Sequence, residues 1–285
     1  MTNIDQFESA FESAAKAVYH HRPIKIGRVL VVTDLSEEGA EELTGQVRDF
    51  LSVLRSDQPR WTSLPGRRFY SVKELLIRIN EAEPDLIVTY RHLHSDAWRF
   101  PYSLGEFLDV ISQATHKPVL VLPHPQSDHA LPHTLRDTNR VMAMTDHLAG
   151  DDRLVQYASR FTAKGGTCWL THLEDQSVFD RYIEEIGRIP AIDTDLAREL
   201  IGHQLLKEPA DYIDRCRRVL ERQGVDIRIE KIVQMGQHLD EYERLITKHG
   251  VDLLVMNTKD QDQMAMHGLA YPLAVQLRQI PLLML

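Results

Sequence analysis

Two aspartates stand at matching places in two similar segments. RVLVVTDLSEEG (Arg28–Gly39) carries Asp34, and RVMAMTDHLAGD (Arg140–Asp151) carries Asp146. An aspartate just past an apolar run can accept hydrogen bonds from a ligand, and it can equally cap a turn or a helix start. The second part of the chain adds His147, then His172 with Glu174, then Asn257 with Thr258, each following an apolar run. Imidazole and carboxylate together could hold a small hydrogen-bonding ligand or a divalent metal such as zinc. Their spacing is not diagnostic, so the plainer reading, solvated loop residues, is preferred and no metal is expected.

His92-Leu93-His94 with Asp96 is a second metal-like group. In a strand, an HxH pair would place both imidazoles on one face. Here it falls in a loop, and a structural reading is again preferred. His116, His124, His129 and His133 are expected to be exposed and to titrate near their ordinary pKa. Catalytic signatures are absent: there is no GxSxG elbow, no GxxxxGK[ST] loop, no HExxH and no GxGxxG after a strand. The chain is therefore expected not to be an enzyme.

These residues need elements to carry them. Further matches extend the first one: PDLIVTY (Pro84–Tyr90) returns as VDLLVMN (Val251–Asn257), and KPVLVLP (Lys117–Pro123) as IPLLML (Ile280–Leu285). Each is a short apolar run of the kind a strand shows when both faces of a parallel sheet are covered. Between them run helical stripes, Leu43, Val47, Leu51 and Leu54, then Val72, Leu75, Leu76 and Ile79, then Leu104, Phe107, Leu108 and Ile111. Strands alternating with such helices imply right-handed βαβ units. The expected fold class is α/β, two doubly wound parallel-sheet domains in tandem, the first shortened with room for one strand near Trp61. The domains read as an N-terminal helix at 1–24, a first domain at 25–124, a linker at 125–139 and a complete second domain at 140–285. A helical insertion from Val178 to Arg222 should be broken into at least three pieces by Pro190 and Pro209. Gly224 should cap its end.

The order VLVVTD, DLIV, KPVLVLP, repeated as RVMAMTD, VDLLVMNT, IPLLML, resembles the universal stress protein family, whose fold is adenine nucleotide alpha hydrolase-like. That resemblance implies a five-stranded parallel sheet in order 3-2-1-4-5, pairing through the last strand and roles in stress survival. For a tandem chain it implies an intramolecular pseudo-dimer. ATP-binding members carry G-x2-G-x9-G-[ST] after the fourth strand, glycines that let phosphates approach backbone N–H groups. Here those positions hold Asn257, Asp260, Gln263 and Ala270-Tyr271 in the second copy, and Tyr90, Leu93, Asp96 and Ser103-Leu104 in the first. Gly268 is displaced by two residues, and Lys259-Asp260-Gln261-Asp262 puts carboxylates where polyphosphate would lie. Family-style ATP binding is therefore not expected, and no cofactor is. The resemblance makes Asp34 and Asp146 face the ligand.

Length and charge set the remaining bounds. The chain has 285 residues, 43% hydrophobic and 26% charged, with a formal charge of −9. That balance argues against a nucleic-acid partner and an anionic membrane. No apolar run reaches a membrane-spanning length, and the beginning MTNIDQFESAFESAAK resembles no signal peptide, so a cytoplasmic protein is expected. Cys168 and Cys216 read as buried small hydrophobes. The expected role is stress response through an unknown partner protein or small ligand, with a homodimer also possible in principle; an ATP-binding sensor using the second domain is the alternative.

Overall fold

The computed structural model describes residues 17–100, 102–127, 130–236, 238–258 and 270–285. Its centre is one nine-stranded sheet in the order β2-β1-β3-β4-β9-β8-β5-β6-β7. In the first half, β1 (Arg28–Val32), β2 (Arg60–Leu64), β3 (Leu86–Tyr90) and β4 (Val119–Leu122) pair in parallel. In the second, β5 (Arg140–Thr145), β6 (Thr167–Asp175), β7 (Arg228–Gly236), β8 (Leu253–Met256) and β9 (Leu282–Met284) do the same. The second half reads 3-2-1-4-5, the order expected from the sequence. β4 and β9 meet antiparallel, Val119 against Met284 and Val121 against Leu282, which makes the two sheets continuous.

The strands form where the apolar runs are. β3, β4, β8 and β9 are buried at every position, covered on both faces by helices. β2 alternates instead, as an edge strand does, which is why only a strand near Trp61 was legible. The helices are α1 (Glu37–Phe50), α2 (Val72–Ala82), α3 (Glu106–Ala114), α4 (Asp152–Phe161), α5 (Gln176–Gly187), α6 (Thr194–Arg222), α7 (His238–His249) and α8 (Ala270–Gln276). Side-chain caps open several of them: Ser36 accepts from Gly39 N–H, Ser71 from Glu74 N–H and Asp151 from Leu154 N–H. Each buries its stripe, α1 through Leu43 and Val47, α2 through Leu75 and Ile79, and α3 through Phe107, Leu108 and Ile111. Leu51 and Leu54 continue the α1 stripe into a 3-10 turn at Ser52–Asp57.

Three expectations are corrected. Pro209 does not break the insertion, which forms two helices, with Pro209 inside the 29-residue α6. Burial of Pro209, Tyr212, Ile213, Cys216 and Leu220 against the sheet outweighs the lost backbone hydrogen bond. Gly224 does cap the chain after α6, at φ +72°. The N-terminal helix does not reach His21, because residues 17–27 have no regular structure. Their backbone groups go to the second half instead: His20 N–H donates to Asp152, and Gln156 donates to the His20 carbonyl. Residues 1–16 lie outside the described residues, as do Gly268 and the Lys259–Asp262 run. The third correction concerns His124 and His133. Both are half-buried, His133 bonding the Val251 carbonyl at 3.1 Å. His129 lies outside the described residues.

Buried polar links fasten the halves. Arg91, at the end of β3, is wholly buried and donates from Nε and Nη2 to the Ala274 carbonyl at 2.9 and 2.5 Å, and from Nη2 to Leu277 at 2.8 Å. Those carbonyls belong to the C-terminal end of α8, where a cation is favoured. Arg160 of α4 donates to the Ile24 and Val53 carbonyls and pairs with Asp57 at 2.7 Å. Tyr19 meets Tyr212 edge-on, ring centroids 6.3 Å apart.

Candidate functional site

In an open doubly wound sheet, ligands enter at the carboxyl ends of the strands where the strand order reverses. The first half reverses between β1 and β3, the second between β5 and β8. Asp34 and Asp146 stand beside these two points, as the sequence placed them.

At the first reversal, Gly66 fixes Asp34. A Cβ on Gly66 would lie 2.6 Å from the Asp34 carbonyl oxygen, so only glycine lets the turn after β2 pass beneath that backbone. The Asp34 carboxylate accepts from the His94 backbone N–H at 2.8 Å and from the Tyr90 hydroxyl. Tyr90 in turn accepts from the Thr33 hydroxyl at 2.6 Å and from the Asp34 N–H at 3.2 Å. Its ring is fully buried, and burial together with the Asp34 carboxylate pushes the phenol well above its ordinary pKa. Over it lies His124, 4.9 Å away and nearly perpendicular, and Trp98 stacks on His124 at 4.6 Å. Arg278 reaches across from the second half to the Trp98 carbonyl at 3.2 Å. The first crevice is thus filled by the chain's own aromatic rings.

The second reversal is crossed by a different pair. Asn257 at the end of β8 donates its amide to Asp151, the N-cap of α4. Burial raises the Asp151 carboxyl above the usual carboxylate range, while the Leu154 N–H and the Asn257 amide oppose that shift. Thr258 turns inward at 1% exposure and donates to the Leu285 carbonyl at 3.0 Å, which ties down β9. Asp146 is half exposed beside His147, at 3.1 Å. His172 is buried and its Nε2 meets Glu174 at 3.1 Å, while Nδ1 finds no partner. Burial lowers the His172 pKa, against the pull of Glu174.

The candidate residues therefore divide. Asp146, His147 and His172 sit within electrostatic range of one another, while Asn257 and Thr258 are turned to Asp151 and the Leu285 carbonyl. Among the described residues no three His, Cys, Asp or Glu side chains gather as a metal site. The His92–His94 pair is dispersed too: both residues have left-handed backbones, with His92 buried and His94 exposed against the Phe69 ring at 5.0 Å. Asp151 and Arg91 went unread in the sequence. An aspartate just ahead of the α4 stripe was a legible cap signal, whereas nothing in the pattern around Arg91 marks it as buried.

Among solved structures, the chain is similar over 91% of its length to a functionally unknown protein, PA1789 from Pseudomonas aeruginosa PAO1. The TM-score is 0.50 at 14% identity, with 92% of that chain covered. The two share a fold. A universal stress protein from Archaeoglobus fulgidus DSM 4304 is similar over 90% of this chain and 95% of its own, with TM-score 0.47 and 11% identity. No family model and no curated protein matches the sequence. No helix among the described residues is long and apolar enough to cross a membrane.

Proposed function

We propose that the chain is a tandem universal-stress-type protein, non-catalytic and cytoplasmic, which serves stress response by binding a partner protein or small ligand. In this reading the β4–β9 junction makes an intramolecular pseudo-dimer of two related halves. Support comes from the repeated sequence order and from the 3-2-1-4-5 order of the second half. The observation that carries the absence of ATP binding is the bridge across each reversal. Tyr90 and Asn257 stand where ATP-binding members have their first glycine, and each is hydrogen-bonded to a carboxylate on the opposite lip. A nucleotide entering the first crevice would have to displace a buried, fully bonded phenol, at a cost of about 1–3 kcal/mol for each polar group left dry. A triphosphate would also meet the Asp34 and Asp151 carboxylates.

The test is a thermal-shift and calorimetric titration of the full chain with Mg-ATP to millimolar concentration. No heat of binding and an unmoved midpoint are expected. A site filled at a hundredfold excess over Kd would add about 2.7 kcal/mol of stability. A shift of that size, or ATP carried through purification, would install the ATP-sensor alternative in its place.

A further inference from the structure

The two halves do not contribute equally to the sheet. Counting outward from the β4–β9 junction, β3 answers β8, β1 answers β5 and β2 answers β6, but among the described residues nothing answers β7. β2 is therefore an open edge, and the place beside it is the one β7 occupies in the other half. Arg60 N–H donates to the Gly27 carbonyl and Thr33 N–H to the Leu64 carbonyl, so residues 60, 62 and 64 turn their backbone groups toward β1. Alternation points the N–H and C=O groups of Trp61 and Ser63 outward, where no strand of the described residues lies.

A cleft flanks this edge on each face of the sheet. On the α1 face, a cleft of about 360 Å³ is floored by Leu51 and Leu54 and walled by Trp61, Arg48 and Arg55. The Arg48 guanidinium lies over the Trp61 ring at 5.7 Å. On the α2 face, one of about 220 Å³ is lined by Arg28, Arg60, Thr62 and Glu81. A strand added to the edge would send alternate side chains into these two clefts, main-chain bonds giving affinity and the clefts specificity. The charge there opposes that of the whole chain. Arg28 pairs with Glu83, Arg55 with Asp49 and Glu81 with Arg78, all at the surface. Arg48 and Arg60 have no carboxylate partner among the described residues.

We propose that the open edge of β2 is a docking site for an extended acidic segment of a partner protein, which adds as a strand in the position β7 occupies in the other half. A second copy of this chain is the poorer fit, because two β2 edges would bring Arg48, Arg55 and Arg60 of both copies face to face. The inference rests on the sheet edge and not on the crevices, so ATP binding at either crevice would leave it standing.

The probe is a fluorescein-labelled peptide, Glu-Phe-Glu-Val-Glu-Phe-Glu, read by fluorescence anisotropy against the full chain. Controls are its lysine-for-glutamate counterpart and a form N-methylated at alternate amides. Saturable binding of the acidic peptide is expected, with at least about a tenfold loss for both controls. Ser63→Pro removes an outward N–H that makes no ladder bond, which edge strands tolerate, and it should abolish binding while the thermal midpoint holds. Arg60→Glu, on the exposed face, should weaken binding at least about tenfold and supplies the result should the proline variant fail to fold. The proposal is overturned by absence of binding, by equal binding of the N-methylated peptide, or by affinity unchanged in both variants. It is also overturned if sedimentation shows a dimer that the acidic peptide does not disperse and Ser63→Pro does.

Discussion

Arg91 offers the sharpest test of how the halves are held. Its fork makes three hydrogen bonds to two carbonyls at the end of α8, in a wholly buried site. Burial pushes its pKa down to about 9, with Arg278 adding to the effect, so the group is still a cation at neutral pH. Arg91→Met keeps the aliphatic stem and removes the fork. Hydrogen bonds from a charged donor contribute about 1.5–3 kcal/mol each, and the Ala274 and Leu277 carbonyls would be left dry. Against this, the desolvation cost of a buried cation, several kcal/mol, disappears with it. The net loss should be roughly 2–3 kcal/mol, or a fall of about 3–5 °C in the midpoint for a chain of this size. Arg91→Lys keeps the charge but not the planar fork and should recover less than half of the loss. Thermal and guanidinium unfolding followed by far-UV circular dichroism measures both. A midpoint within about 1 °C of the parent for Arg91→Met would show that the fork adds nothing, and the account of the junction would fail with it.

Other outcomes follow from burial. Cys168 and Cys216 are both buried, and burial pushes each thiol up to about 12, so neither should react with Ellman's reagent until denaturant is added. Labelling of native protein within minutes would contradict this. His92, His124 and His172 all have pKa values lowered by burial, so the unfolded chain takes up protons first as the pH falls below 6.5. Stability should therefore decline between pH 6.5 and the lower folded values. A midpoint unchanged between pH 7.5 and pH 5 would refute that, and His124→Phe should blunt the decline. Pro209→Ala restores a backbone donor inside α6 and should raise stability by about 1–2 kcal/mol, less than the full helix-interior cost of proline because Pro209 also packs; a lower midpoint would show that the ring's packing dominates.

What could be read in advance had a local cause. β3, β4, β8 and β9 were legible because burial on both faces leaves an unbroken apolar run, and the helix stripes because α1, α2 and α3 each turn one face to the sheet. Cys168 and Cys216 behave as their isolation in the sequence implied. The misread features share a different cause, a partner distant in sequence. Pro209 remains helical because of the sheet beneath it, and the backbone of His20 is taken up by Asp152 and Gln156 rather than by a helix. His124 is half-buried because Trp98 lies flat on it. Thr258 was read as a ligand group because it follows a strand, yet the Leu285 carbonyl takes its hydroxyl.

The antiparallel junction has a functional consequence for the two crevices. Because β4 and β9 run in opposite directions, the carboxyl ends of the first half's strands lie beside the amino end of β9. The crevice at Asp34 and the crevice at Asp151 therefore open at opposite ends of the sheet, and one compact ligand cannot touch both. The polar links between the halves run through the junction and through α4, whose Arg160 bonds the Ile24 and Val53 carbonyls and Asp57. At the junction Arg91 follows β3 and grips α8, whereas its counterpart after β8 is Thr258, which bonds within its own half. Movement of α8 would be felt at Arg91 and, through the adjoining Tyr90, at Asp34. A disturbance at Asn257 would pass to Asp151 at the start of α4, and along α4 to Arg160, which holds the Val53 carbonyl and Asp57 of the first half.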